Sequence, residues 1–466
     1  MSLDAYLVRT TDSLMLAAEK ALDNGLGCLV ALNADDVYAG HVTLEAIRER
    51  IRDGAYTRLG DISSIVAPGP CCQEGENVPA ASLLTAVLDK AGKLADVKVT
   101  QNAGFIPVAE PYLSRNEFRN LMDAYLSTWI SSTGEYIRGF EQKFASACGV
   151  KQGVATSNGT VSLHLALLAL GIGPGDEVIV PDLTFAASIN TILYCGATPV
   201  IIDVDRDTWC MSAEAFEAAI TPQTRAVMPV HVFGRPAPMT AIAEIAKAHR
   251  IYVIEDCAEA HGAKYDGKPV GAFSDISSFS FFANKILTTG EGGICLTDSP
   301  VLAERMRVLR DHGMRPERRY WHEEVGYNYR MTNLQASIGC AQVDRFDELL
   351  GERHKVNDAY RAALGGIPGV VWPAEMESRA TPVTWFACAL VPADKRAALI
   401  AECKRKNIDL RPFFNGLSIM PAYKRWARPC PNSEYLSQSG VNLPTSHRID
   451  KHIVSQIEAA FRAVLA

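Results

Sequence analysis

Lys285 closes an apolar run, Ser277-Ser278-Phe279-Ser280-Phe281-Phe282-Ala283-Asn284, and opens onto a glycine-rich stretch, Leu287-Thr288-Thr289-Gly290-Glu291-Gly292-Gly293. A lysine delivered by a strand into a desolvated setting loses its proton readily and can form a Schiff base with an aldehyde. Upstream, Val253-Ile254-Glu255-Asp256-Cys257-Ala258-Glu259-Ala260-His261 reads as a buried strand ending in two acids. Ligands bind at the carboxyl ends of strands in open α/β sheets, and a carboxylate held there can pair with a protonated ring nitrogen. A third element, Ala155-Thr156-Ser157-Asn158-Gly159-Thr160, leads into the apolar run Val161 to Leu170 and puts small residues at a helix start. Free N–H groups and the positive end of the helix dipole make such a start a phosphate cradle. Ser280 could add a hydroxyl donor. Taken singly, the three have plainer readings: an exposed lysine, a surface loop or metal site, and an ordinary N-cap.

These residues need a scaffold that brings strand ends and a helix start to one edge. From Ile106 onward, strand-length apolar runs at Glu177 to Val180, Pro199 to Val204, Ala226 to Val232, Tyr252 to Glu255 and Ser277 to Phe282 alternate with helical stretches. That alternation predicts βαβ units around a mainly parallel sheet. Gly171-Ile172-Gly173-Pro174-Gly175-Asp176 looks like a dinucleotide loop but follows a helix and precedes a strand, the reverse of the Rossmann order. It is read as a helix stop and turn. After a helical stretch from Leu350 to Leu364, short strands such as Trp385 to Val391 mix with helices, as in a separate α+β domain.

In this order and spacing the three elements resemble the DegT/DnrJ/EryC1/StrS sugar aminotransferases, of aspartate-aminotransferase fold (fold type I). The resemblance runs from Ile106 to Ala466 and includes Pro229-Val230-His231-Val232-Phe233-Gly234, Gly326-Tyr327-Asn328-Tyr329-Arg330-Met331-Thr332-Asn333-Leu334-Gln335 and Arg411-Pro412-Phe413-Phe414. It implies pyridoxal 5′-phosphate (PLP) as cofactor, with Lys285 covalently bound to it and later carrying the proton. It further implies Asp256 on the pyridine nitrogen, Glu259 near the phenolic oxygen, and Phe185 stacked on the ring. Gly159, Thr160 and Ser280 would hold the phosphate, joined by Asn328 of a second subunit, so that the active sites are shared in a homodimer. His231, Arg319, Tyr320, Arg411 and Ser418 are the candidate substrate contacts, and no metal is expected.

The runs Phe281 to Gly293 and Arg318-Arg319-Tyr320-Trp321 resemble the branch of the family that acts on a GDP-linked 4-keto-6-deoxymannose. Members of that branch tend to carry His where this chain has Ser418, in Gly416-Leu417-Ser418-Ile419-Met420-Pro421. The implied reaction moves an amino group from an amino acid, L-glutamate in the first instance, to the C4 ketone of a nucleotide-linked deoxy sugar for surface polysaccharide synthesis. The alternatives are another keto sugar or small keto phosphate as acceptor, a dehydratase on the same scaffold, and a catalytically inactive metabolite sensor. Relatives that dehydrate carry His at the lysine position, so Lys285 favours transamination.

The first segment is foreign to that family. Leu26 to Leu32 and Val37 to Thr43 read as strands followed by a helix to Ile51, which resembles one repeat of a cystathionine β-synthase (CBS) domain. Such domains often bind the ribose of an adenine nucleotide through an Asp where this chain has Ala46, so the segment is read as a packing or self-association module. Downstream of it the pattern is interrupted by Pro68, Gly69, Pro70, Gly75 and Pro79, and Ala80 to Leu94 reads as helical. The expected domains are a CBS-like module at 1–66, a linker and module remnant at 67–105, a PLP-binding large domain at 106–350 and a small domain at 351–466.

Composition restricts the remaining classes. With 466 residues, 48% of them hydrophobic, the chain can bury several cores. A net charge of −7 argues against a nucleic-acid partner, although Arg315, Arg318 and Arg319 could grip a phosphate or pyrophosphate. The twelve cysteines contain no CxxC pair, which suggests neither zinc nor disulfides. Asp4 stands where a signal peptide would be basic, and no apolar stretch reaches the roughly 18 residues that span a bilayer. A cytoplasmic enzyme without a membrane partner is therefore expected.

Overall fold

The computed structural model describes residues 3–52, 61–74, 76, 84–99, 104–315 and 317–465. The chain divides into two compact units, Met1–Gly104 with Tyr112–Arg119 and Phe105–Pro111 with Asn120–Ala466.

In the first unit β1 (Leu7–Arg9), α1 (Leu14–Asp23), β2 (Cys28–Leu32), β3 (Tyr38–Thr43) and α2 (Leu44–Arg52) succeed one another. β1 pairs in parallel with β2, and β2 antiparallel with β3. Ser13 caps α1, its Oγ accepting from Leu16 N at 3.2 Å. Ala17, Ala18 and Ala21 then bury their small side chains against Leu29, Val42 and Ile47. The helical reading of Ala80 to Leu94 fails. Leu84–Leu88 is strand β5, buried throughout, and lies between β4 (Cys71–Gln73) and β6 (Leu94–Val99). The Leu and Ala content that suggests a helix is overridden by pairing on both sides. Ala80 to Leu83 and the breaks at Gly75 and Pro79 lie outside the described residues. β4 is parallel to β5, and β5 antiparallel to β6. This second sheet repeats the pairing of the first and occupies the stretch expected to be a linker with a module remnant.

The second unit is built on a seven-stranded sheet. Its strands are β7 (Gln152–Thr156), β8 (Glu177–Pro181), β9 (Thr198–Ile202), β10 (Thr224–Val227), β11 (Tyr252–Asp256), β14 (Ile276–Ser280) and β15 (Gly293–Thr297). A short ribbon, β12 (Lys264–Tyr265) and β13 (Lys268–Pro269), interrupts the series and pairs with β16 (Ala380–Thr381). The spatial order is β7-β15-β14-β11-β10-β8-β9, and only β15 runs against its neighbours. The mainly parallel sheet expected from the sequence is thus present. β10 is shorter than the run Ala226 to Val232 suggests, because Pro229 supplies no ladder donor and Val232–Gly234 turns into a 3-10 helix.

Helix α3 (Gly159–Ala169) is apolar on every side, with Leu163, Leu165, Ala166 and Leu167 buried in the central cluster. Such a helix has no solvent face and belongs inside, where each leucine contributes about 1.5–3 kcal/mol of transfer free energy. Its start is fixed from both sides. Asn158 caps it, Oδ1 accepting from Val161 N at 3.0 Å, and a Cβ on Gly159 would stand 2.7 Å from Ser280 Cβ. Toward the C-terminus, β17 (Ala387–Leu390), β18 (Arg411–Pro412) and β19 (Gly440–Leu443) form a three-stranded antiparallel sheet in the order β17-β19-β18.

Candidate active site

Strand alternation decides what the two acids at the end of β11 do, since neighbouring side chains point to opposite faces. Glu255 is fully buried and saturated with donors: Gly271 N at 2.8 Å, Phe273 N at 2.9 Å, Ser274 Oγ at 2.8 Å and His231 Nε2 at 3.1 Å. These donors hold its carboxyl below the usual range although burial opposes them. Asp256 faces the other way. Its Oδ2 accepts from Ser188 Oγ at 2.8 Å and its Oδ1 from Ala258 N at 3.2 Å. Burial raises its pKa, while these donors and the charge of Lys285 oppose the shift. Thr184 Oγ1 lies 2.9 Å from Ser188 Oγ and extends the chain of hydroxyls.

For His231 the structure corrects the expectation of a substrate contact. The side chain is fully buried, with Nε2 on Glu255 and Nδ1 accepting from Ala237 N at 3.0 Å. Both ring nitrogens are engaged in bracing the β11 end, because the chain turns inward after Pro229. His231, Glu255 and Cys257 also form a cluster of metal-ligating types, but those hydrogen bonds already use the imidazole and the carboxylate.

Lys285 sits beyond β14, whose Ser278 pairs with Asp256 across the sheet. Its Nζ lies 3.8 Å from the centroid of the Trp385 ring. Burial drives the pKa of its amine down, and Glu259 and Asp256 pull it back up. Glu259 is buried too, and its carboxylate accepts from Phe233 N at 2.7 Å. Burial keeps Glu259 protonated to higher pH than an ordinary glutamate, against the charge of Lys285. Phe233 aims its amide there from a left-handed backbone, φ 52°. The following Gly234 has φ 88°, and a Cβ on it would strike Val383 O, so this turn admits no larger residue.

The other expected residues fall into two groups. Gly159, Thr160 and Ser280 belong to the helix start and the strand end that press together, and the first-turn amides of Gly159 and Thr160 have no intrahelical acceptor. Phe185 is 58% exposed, with Phe414 beside it at 5.8 Å between ring centroids. A large aromatic left open offers a face for a flat ring. Asn328, Arg319, Tyr320 and Arg411 are exposed, and among the described residues no contact joins them to the Lys285 cluster within one chain. Asn328 pairs by backbone with Asp311, Arg319 lies 5.0 Å over the Tyr320 ring, and Arg411 Nε donates to Asp409 Oδ2 at 3.0 Å. Ser418 donates its backbone N–H to Asp182 Oδ1 at 2.6 Å.

Sequence reasoning missed Ser188, Arg353 and Trp385. Ser188 carried a faint signal, one helical turn after Phe185. Arg353 and Trp385 carried none, since they lie far along the chain from Lys285 and meet it only in the fold.

The donor set fits PLP: an amine of lowered basicity, a buried carboxylate with an oriented oxygen, an open aromatic face, and a helix start closed against Ser280. Known proteins agree. The sequence profile of the DegT/DnrJ/EryC1/StrS aminotransferase family matches residues 111–462. The GDP-perosamine synthase of Caulobacter vibrioides is 45% identical over 364 residues, covering 77% of this chain and 98% of that enzyme. The GDP-perosamine synthase of Escherichia coli O157:H7 is 44% identical over 343 residues, covering 73% of this chain and 93% of that enzyme. Among solved structures, S. venezuelae DesV in complex with a ketimine intermediate has a TM-score of 0.70 at 34% identity, covering 74% of this chain and 93% of that one. The PLP form of the putative sugar aminotransferase Spr1654 from Streptococcus pneumoniae has a TM-score of 0.73 at 28% identity, covering 78% and 98%. The chain belongs to the DegT/DnrJ/EryC1/StrS aminotransferase family and is a PLP-dependent sugar aminotransferase.

Proposed function

We propose that the protein transfers an amino group from L-glutamate to the C4 ketone of a GDP-linked 4-keto-6-deoxy sugar, in the synthesis of a surface polysaccharide. The observation that carries the chemistry is the convergence of Lys285, Asp256 and Glu259 at one end of the parallel sheet. The two GDP-perosamine synthases and the likeness of Arg318 to Trp321 to that branch support the choice of sugar.

When bound, PLP supplies the electron sink that accepts the pair released at the carbon losing its proton. The Asp256 carboxylate would hold the ring nitrogen protonated, and Ser188 fixes which oxygen faces it. Lys285 Nζ would hold the cofactor at rest, then take the proton from the amino donor and return it one position away. Its lowered basicity suits it to both directions near neutral pH. Gly159, Thr160 and Ser280 would bind the phosphate, Glu259 would lie beside the phenolic oxygen, and Phe185 would cover the ring. Arg319, Tyr320 and Arg411, exposed, and Ser418, half-buried, would meet the nucleotide sugar.

In this reading the enzyme is a cytoplasmic homodimer in which Asn328 of a second copy completes the phosphate site, and the N-terminal CBS-like unit assists assembly. Among the described residues no helix is long and apolar enough to cross a membrane. The deciding experiment loads the protein with glutamate to make its amino form, then asks which keto compound restores the original visible spectrum. Recovery with the GDP-linked 4-keto-6-deoxy sugar is expected. Recovery only with another keto sugar or a small keto phosphate would move the substrate, and no response to glutamate would remove the donor.

A further inference from the structure

Arg353 lies on the helix Phe346–Leu364 and is buried. It is cationic, yet among the described residues its hydrogen bonds go to carbonyl oxygens and not to a carboxylate. Nη2 donates to Lys285 O at 2.9 Å and Nη1 to Trp385 O at 2.5 Å. Trp385 in turn donates Nε1–H to Asn284 O at 2.8 Å, and its ring lies under Lys285 Nζ. The carbonyls of Asn284 and Lys285 are therefore both held, one by each partner. A buried guanidinium is costly without a counter-ion, so its presence behind the lysine calls for a role.

We propose that Arg353 is a positioning residue for Lys285: it locks the lysine's own peptide and the tryptophan beneath the amine, and its charge disfavours a second cation beside it. The inference rests on Lys285 being the cofactor lysine and goes beyond it, since no hydrogen bond joins the guanidinium to the amine itself. Burial sets the downward direction of the Lys285 shift; Asp256 and Glu259 face the amine from the sheet edge and favour its protonated form, whereas Arg353 from the helix adds a smaller contribution against it. His261 also faces it, but burial keeps that imidazole neutral, with its pKa lowered to about 3.

Removing the positive charge should raise the pH at which Lys285 becomes a free amine. The measurement is the pH profile of Lys285 modification by an amine-reactive reagent, read by mass spectrometry on full-length protein stripped of cofactor. Arg353→Met and Arg353→Gln are expected to move the midpoint upward, with slower labelling below it. Arg353→Lys, which keeps the charge, should stay near the parent. Gln retains an amide donor for the carbonyls, so it serves if Met does not fold, as judged by near-ultraviolet circular dichroism. An unchanged midpoint in the neutral variants, or equal shifts in all three, would overturn the charge role. A PLP group still trapped covalently on Lys285→Ala by borohydride reduction, read by mass spectrometry, would instead defeat the lysine assignment itself.

Discussion

In the N-terminal unit buried polar groups are spent mainly on the backbone. Asn24 Nδ2 donates to Cys28 O at 2.9 Å while its Oδ1 accepts from Leu26 N at 2.8 Å. His41 meets Tyr38 Oη at 2.9 Å and Leu84 O at 3.2 Å. At the edge of the seven-stranded sheet the buried polar groups are ionisable and face one another: Asp256, Glu259 and Lys285 are all displaced toward their neutral forms by burial. Among the described residues both regions bury ionisable groups, but the N-terminal unit holds a single such imidazole, His41, whereas at the sheet edge an amine and two carboxyls act on one another. Such groups hold chemistry because a bound ligand can supply what the protein leaves open.

That contrast predicts a graded series of effects. Lys285→Ala should cost the most, a loss of about 10⁴-fold or more in amino transfer, as expected when a covalent group is removed. Single-turnover half-reactions with glutamate are the measurement, and near-parent rates would show that another amine serves. Asp256→Asn should come next, with a loss of about 10²- to 10³-fold, because an amide cannot keep a ring nitrogen protonated. Ser188→Ala removes one hydrogen bond to that carboxylate and should cost about tenfold, near the value of one charge-assisted bond. An effect of Ser188→Ala equal to that of Asp256→Asn would mean that the hydroxyl does more than orient.

A weaker effect is read as pH dependence. Glu259 has a carboxyl raised above its ordinary 4.5 by burial. It binds protons more tightly folded than unfolded, so its contribution to stability is full below its unfolded pKa and declines as pH rises through the folded value. Glu259→Gln should therefore flatten the loss of stability on that rise, measurable as the midpoint of urea unfolding against pH. Parallel curves for parent and variant would place the ionisation elsewhere. The smallest effect is expected from deleting residues 1–104. Half-reaction rates should stay within about twofold, since every candidate catalytic residue lies in the other unit. Loss of PLP binding in the deleted protein would break the division of labour on which the contrast rests.

Much of the site was legible because its signals are local. The run into Lys285, the acids closing β11 and the small residues before Gly159 each sit on one element, and strand or helix periodicity announces such elements. Periodicity alone could not separate Glu255 from Asp256 by role, since adjacent acids differ only in the face to which they point and in what covers it; the resemblance alone singled out Asp256. His231 misled because it entered as a substrate candidate through the family resemblance, and only packing shows both ring nitrogens engaged inside the protein. Ala80 to Leu94 misled because leucine and alanine favour helices, while strand pairing within the first unit settled β5.

By itself the sequence determined a mainly parallel sheet, five of its seven strands, the candidate lysine and carboxylate and the helix start, all set by periodicity and residue chemistry, but not β7 or the antiparallel β15. Only the tertiary structure decided that Ser188 orients Asp256, that Glu255 and His231 brace the strand from beneath, and that Trp385 and Arg353 close on Lys285. These contacts join residues separated by 24 to 101 positions. At such separations no local pattern constrains the partners, and it is packing that sets the distances on which hydrogen bonds and charge interactions depend.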